Sequence, residues 1–309
     1  MERVATLMHS QAMLAELSRT QRSLYDAQTQ VTTGKRVNEF ADAPADLGAL
    51  MAARGADSRT ADFLASAKAI RTRLDLQDTH IDELAATTAD MKQTILEGVA
   101  NGSGAALKAE LEGVFSRMVS ILNTQVDGKY IYGGTRQDVP PVTVSSLAEL
   151  VALPATADAF QNNAVAQTGR IDNNQVITFG QLASDLGGPA FDMLRQIMTF
   201  DAGPSGPFAN DMTETQSNFL TSLIPQLGTV NEGVNNLLAT NGVAYQAADD
   251  AVSRHGDARA TLAAMISDIE DVDMAEAITK LNNAQTALQA SAKTFAMVQG
   301  LSLLDYLPV

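Results

Sequence analysis

Residues 17–31, LSRTQRSLYDAQTQV, and residues 281–295, LNNAQTALQASAKTF, carry the same device at opposite ends of a 309-residue chain. Leu17, Leu24 and Val31 recur every seven residues in the first, and Leu281, Leu288 and Phe295 do so in the second. Apolar residues at that interval fall on one stripe of an α-helix, and such a stripe is buried only against other helices. Leu7 and Leu14 broaden the stripe at one end, Ile278 and Val298 at the other, and these ten residues are the expected subunit-contact set. Gln21, Gln28, Gln285 and Gln299 read as polar interruptions that fix which helix pairs with which.

Working inward, the first helix is expected from about Val4 to Thr32 and ends at Thr33-Gly34-Lys35. From about Ala45 a second pattern carries Phe63, Ile70, Leu74, Ile81, Leu84, Met91 and Ile95 on one face to Val99. At the usual rise, its roughly 55 residues span ~80 Å, far beyond an ordinary globular helix. Asn101-Gly102-Ser103-Gly104 breaks it, and Leu107, Leu111, Val114, Met118 and Ile121 start a helix that returns alongside. Asn101-Gly102-Ser103 also fits a glycosylation acceptor, but a glycine turn accounts for the same residues.

Between Asp127 and about Gly188 the texture turns β-branched and turn-rich. Strands are expected at 129–135, 139–144 and 170–179, the last reversing at Asp172-Asn173-Asn174. A short helix from Pro189 to Phe200 and a Gly/Pro stretch at 203–207 lead back to helix, with Phe219, Leu223, Val230, Val234 and Leu237 on one face. Asp273 followed by Glu276 is a capping box that starts the last helix. Asp271 and Asp273 lack the glycine turn and closing glutamate of a calcium loop.

The fold class that follows is mainly α: a long antiparallel helical bundle or coiled-coil rod formed by the two halves of the chain, with a small, mostly β central insertion. Its parts are an N-terminal assembly helix (1–44), the first half of the rod (45–126), the insertion (127–205), the second half (206–270) and a C-terminal assembly helix (271–309). As an insert, 127–205 is expected to face outward and tolerate change.

Composition narrows function. The net charge is −15, so phosphate backbones and anionic lipid are repelled, and neither nucleic acid nor a membrane surface is expected as a partner. Residues 1–60 nevertheless balance seven basic against seven acidic groups. There is no Cys, which removes disulfides and thiolate chemistry. No apolar run reaches bilayer length, and the start lacks a secretory signal core, so an uncleaved start is expected. His9, His80 and His255 fall in separate segments, and no phosphate loop, dinucleotide fingerprint or nucleophile elbow occurs. No enzyme, cofactor or metal site is expected. Tyr130 and Tyr132 beside Gly133-Gly134 read as a hairpin edge on the helices.

Four stretches carry a family resemblance: VTTGKRVNEFADAP at 31–44, DGKYIYGGT at 127–135, SDIEDVDMAEAITKL at 267–281 and GLSLLDYL at 300–307. With them the chain resembles the bacterial flagellin-like axial proteins over roughly its first 135 and last 100 residues. The ending LSLLDYLPV is closer to the family's hook–filament junction members than to filament flagellins. Ala41-Asp42-Ala43-Pro44 departs from the family's Ser-Asp-Asp-Pro element, so a local contact there differs. The resemblance implies an extracellular structural protein exported unfolded and assembled between hook-associated protein 1 and flagellin, with copies of itself in a ring. It also implies an export chaperone on the C-terminal helix. The nearest alternative is a filament flagellin; a more distant one is a helical adhesin or signalling rod that binds through the insertion.

Overall fold

In a computed structural model the backbone is described for residues 2–36 and 46–304, and side chains for these except residues 2–7, 9, 10 and 298–304. Seven helices are present among the described residues: α1 Glu2–Thr33, α2 Leu47–Asn101, α3 Leu107–Leu122, α4 Leu147–Ala152, α5 Ala183–Asp201, α6 Glu214–Glu270 and α7 Met274–Leu304. Two small hairpins complete the set, β1 Gln125–Val126 with β2 Lys129–Tyr130, and β3 Thr168–Asp172 with β4 Gln175–Thr178. The mainly α class with a small β-containing insertion is the one expected from the sequence patterns. The Ala41–Pro44 departure lies outside the described residues.

The chain divides into two units, Ala61–Gly256 and the two ends Met1–Thr60 with Asp257–Val309. In the first, α2 and α6 run antiparallel, because Asn241 Nδ2 donates to the Leu74 carbonyl at 2.9 Å and Asn231 Nδ2 to that of Ala85 at 2.9 Å. Of the face read from sequence, Ile70, Leu74, Ile81, Leu84, Met91 and Ile95 are buried there and Phe63 is half-buried. Helix α3 returns along α2, with Leu107, Leu111, Val114, Met118 and Ile121 in the same core. The turn between them is a glycine cap: Gly102 has φ +64°, and Ser103 N donates to the Gly98 carbonyl at 3.0 Å.

The insertion does not simply face outward. Phe191 on α5 is fully buried against Phe115 (centroids 4.9 Å apart) and Phe160 (5.2 Å), and Val142, Leu147, Leu150 and Ala159 join the same cluster. A second cluster seats Ile171 and Ile177 of the β3–β4 hairpin on Ala67, Ile70 and Leu74 of α2 and Ala248 and Ala251 of α6. Substitution at these buried positions is therefore expected to cost stability, at roughly 1.5–3 kcal/mol for each large apolar side chain buried there. One element boundary inside it shifts. Helix α5 starts at Ala183 rather than at Pro189, which sits inside it, and Asp185, whose carbonyl loses its donor to the proline, is exposed.

The strand expected at 139–144 reduces to one bridge, Val142 with Phe160, because Pro140 and Pro141 have no amide hydrogen for a ladder. The strand expected at 129–135 stops at Tyr130, just before Ile131 and Tyr132 turn into the core. Asp127 (φ +50°) and Gly128 (φ +74°) close the first hairpin in the left-handed conformation that two-residue reversals require. Tyr132 is fully buried, and loss of hydration pushes its phenol far above the ordinary tyrosine range.

Candidate assembly surface

In the unit made from the chain's two ends, α1 and α7 pack against each other. Their burial follows the heptad residue by residue. Between Met274 and Met297 of α7, the positions withdrawn from solvent are Ala277, Leu281, Ala284, Leu288, Ser291 and Phe295, spaced 4-3-4-3-4. On α1, Met13, Leu17, Thr20, Leu24, Ala27 and Val31 repeat the same spacing. Ala27, Ala277 and Ala284 are the buried members and the larger ones are half-buried, as in a narrow coiled-coil seam where small residues let the backbones approach.

Six of the ten expected contact residues, Leu17, Leu24, Val31, Leu281, Leu288 and Phe295, thus lie on faces that form one seam inside a single chain. Leu14 and Ile278 lie off it and are exposed; the side chains of Leu7 and Val298 are outside the described residues. Gln21, Gln28 and Gln285 are also exposed, so they do not interrupt the seam, and Gln299 is outside the described residues. The alanines were missed because a stripe read from large side chains skips small ones; their heptad spacing was the signal that could have found them.

The pair is fastened where α1 ends and α7 begins. Gly34, at φ +68°, closes α1, and the next two residues bridge to the break between α6 and α7. Arg36 N donates to the Glu270 carbonyl at 2.6 Å and Val272 N to that of Gly34 at 3.1 Å. Side chains reinforce this clasp. Lys35 Nζ reaches Asp271 at 2.6 Å and the buried Glu270 at 3.4 Å, Arg54 also pairs with Glu270, and Arg36 donates to the Ile269 carbonyl at 2.8 Å. Asp273 then caps α7, accepting from Ala275 N at 2.8 Å and Glu276 N at 3.3 Å, while Asp271 serves the clasp.

Charge tunes this fastening. Hydrogen bonds from Lys35 and Ser267 hold the Asp271 carboxyl below the usual carboxylate range, and Arg259, 2.8 Å away, does the same for Asp57. The bond to Asp271 raises Lys35. A lowered carboxylate stabilises above its unfolded value and loses that contribution as pH falls through the folded one; a raised lysine does so in reverse at the alkaline end. Nitroxide labels on Gln28→Cys and Gln285→Cys should hold a narrow distance distribution between about pH 4 and 10 and broaden on either side.

The unit carrying this seam has little core of its own. Among the described residues its buried apolar side chains are Ala27, Leu50, Ala53, Ala277 and Ala284, so only one is large. It also holds eight of the eleven large apolar side chains that stand exposed among the described residues: Met8, Leu14, Tyr25, Met51, Met265, Met274, Ile278 and Met297. Exposed apolar side chains concentrated in one part of a chain mark an interaction surface.

No three His, Asp or Glu side chains converge on a metal geometry among the described residues, and none of their helices is long and apolar enough to cross a membrane. His255 Nε2 lies 2.7 Å from the Ile171 carbonyl and stacks on Phe63. His80 packs beside Tyr132, where burial lowers its pKa. Both imidazoles belong to the packing of the larger unit, while the His9 side chain is outside the described residues.

Comparison with known proteins decides what such a surface belongs to. Residues 4–137 match the bacterial flagellin N-terminal helical region, and residues 224–307 match the bacterial flagellin C-terminal helical region. The chain belongs to the flagellin family. Within it, the chain is similar to the flagellar hook-associated protein 3 of Escherichia coli (strain K12), 20% identical over 97% of this chain and 98% of that one. Its counterpart from Salmonella typhimurium shows the same identity and coverage. Among solved structures, a putative flagellar hook-associated protein from Vibrio parahaemolyticus shares the fold, with a TM-score of 0.60, 15% identity and coverage of 74% of this chain and 100% of that one. Bacillus cereus FlgL follows with a TM-score of 0.53, 14% identity and coverage of 71% and 99%. This flagellin-family chain is a structural, non-enzymatic axial protein of the bacterial flagellum, made to contact other axial components.

Proposed function

We propose that the chain is the subunit that joins the hook to the filament, seated between hook-associated protein 1 and the first flagellins as a ring of its own copies. The observation that carries this reading is the end-to-end likeness to hook-associated protein 3, over 97% of this chain and 98% of the relatives. The exposed apolar side chains of the unit built from the two ends support it, since an axial subunit must bury such surface against neighbours. Leu14 and Ile278, off the intrachain seam, are the direct subunit contacts. Of the others, Leu17, Leu24, Val31, Leu281, Leu288 and Phe295 act by holding the two terminal helices together.

The five sequence-derived segments keep their roles in this reading, with 1–44 and 271–309 as the assembly parts. An export chaperone on the C-terminal helix completes it; exposed Met274, Ile278 and Met297 on α7 give that chaperone apolar surface. Immunogold labelling of intact cells tests the placement. One band between hook and filament is the expected result, whereas label along the filament would make the chain a filament flagellin.

A further inference from the structure

Methionine is partitioned between the two units in a way that burial alone does not require. In the unit built from the chain's ends, Met8, Met51, Met265, Met274 and Met297 are 43–67% exposed. In the other, Met91, Met118, Met193 and Met198 are 0–7% exposed, while Met13 of the first unit and Met212 of the second are half-buried. Five of the eight exposed large apolar side chains of the first unit are therefore thioethers, while the three exposed in the second, Val165, Val176 and Val243, are all valine. An unbranched, polarisable side chain adapts to irregular partners, which suits a face meeting non-identical neighbours. The same choice carries a chemical consequence that leucine would not.

We propose that Met8, Met51, Met265, Met274 and Met297 are peroxide-reactive modification sites, and that their oxidation takes the free subunit out of assembly. The sulfur lone pair attacks one oxygen of hydrogen peroxide, the O–O bond breaks, and a proton passes to the departing oxygen. Sulfur is oxidised by two electrons to the sulfoxide, and the peroxide is reduced to water. The product is polar where the thioether was apolar. Buried against a neighbour, its oxygen loses water without a partner waiting for it. The buried methionines are shielded by the core, so the reaction leaves the larger unit intact. This inference rests on the junction reading for its consequence, but not for its selectivity.

The test treats the purified full chain with graded hydrogen peroxide, maps sulfoxides by peptide mass spectrometry, and adds the protein with flagellin to hooks isolated from cells lacking it. Sulfoxide should form at the five exposed methionines before the four buried ones. Filament outgrowth should fall roughly tenfold or more, the loss that one unpaired polar group in an interface produces. Treatment with methionine sulfoxide reductases of both stereospecificities should restore outgrowth. In a variant with all five changed to leucine, peroxide should leave outgrowth at the level that the untreated variant supports. Equal oxidation of Met91 and Met118, or undiminished outgrowth by the oxidised chain, would overturn the proposal. So would an equal loss from the leucine variant. Should that variant fail to assemble at all, recovery of the oxidised wild-type chain by reductase still decides. If the untreated chain does not support outgrowth, the junction reading itself fails, and the sulfoxide map then judges selectivity alone.

Discussion

Replacing Leu281 and Leu288 together with aspartate should abolish incorporation at the flagellar tip while the larger unit keeps its thermal transition. Both leucines lie two turns apart on the one face of α7 withdrawn from solvent, with Ala284 buried between them. Each substitution removes apolar surface and places a carboxylate in a seam whose opposite face offers Leu24, Ala27 and Val31. Half-burial discounts the transfer loss to ~1 kcal/mol per side chain, and desolvating each charge adds further cost. The unit has only Leu50 as a large buried apolar side chain among its described residues, so no core absorbs the damage. Swimming in soft agar should fall to that of a deletion strain, and calorimetry should show the main transition within about 2 °C of wild type, the shift expected when distant sites do not couple. Normal motility would mean that the terminal helices assemble without pairing.

How much of this was legible depended on the distance over which the determining contacts act. Helix α2 could be read nearly end to end because Ile70 through Ile95 repeat at intervals set by one helix's geometry. The α7 start was legible for the same reason, since Asp273 and the amides it caps lie within three residues. Seam residues such as Ala277 and Ala284 were obscured by size, because alanine carries little hydrophobic signal even where it decides how closely two helices approach. Contacts across the chain left no local trace. Nothing around Lys35 announces Asp271, more than two hundred positions away, and the burial of Ile171 and Ile177 depends on α2 and α6 arriving beneath the hairpin. The insertion looked independent because its composition changes, yet a change in composition marks where the chain alters its local structure, not where its core ends.

The clasp is where those long-range contacts bear most directly on assembly, and Glu270→Lys should disable it. Glu270 is 5% exposed and receives both Lys35 and Arg54, whose side chains remain about half in water. A third cation there would face two others in a site with little solvent to screen them. Removing one partner of a buried ion pair costs ~3–5 kcal/mol, and the exposure of Lys35 and Arg54 reduces the figure here to roughly 2–3. The backbone bridge from Arg36 to Glu270 and from Val272 to Gly34 would then lose the side chains that brace it, freeing the end of α1 from the start of α7. Motility should drop at least as far as it does for the double leucine variant, because the clasp sets the register in which the seam closes. Glu270→Gln, which keeps one of the two acceptor oxygens and loses the charge, should be intermediate. Combining Glu270→Lys with Arg54→Glu, and leaving Lys35 on Asp271, tests whether charge is the cause: one repulsion is replaced by attraction, and partial recovery of swimming follows. No recovery in this charge-swapped variant would instead place the fault in packing around the Glu270 stem.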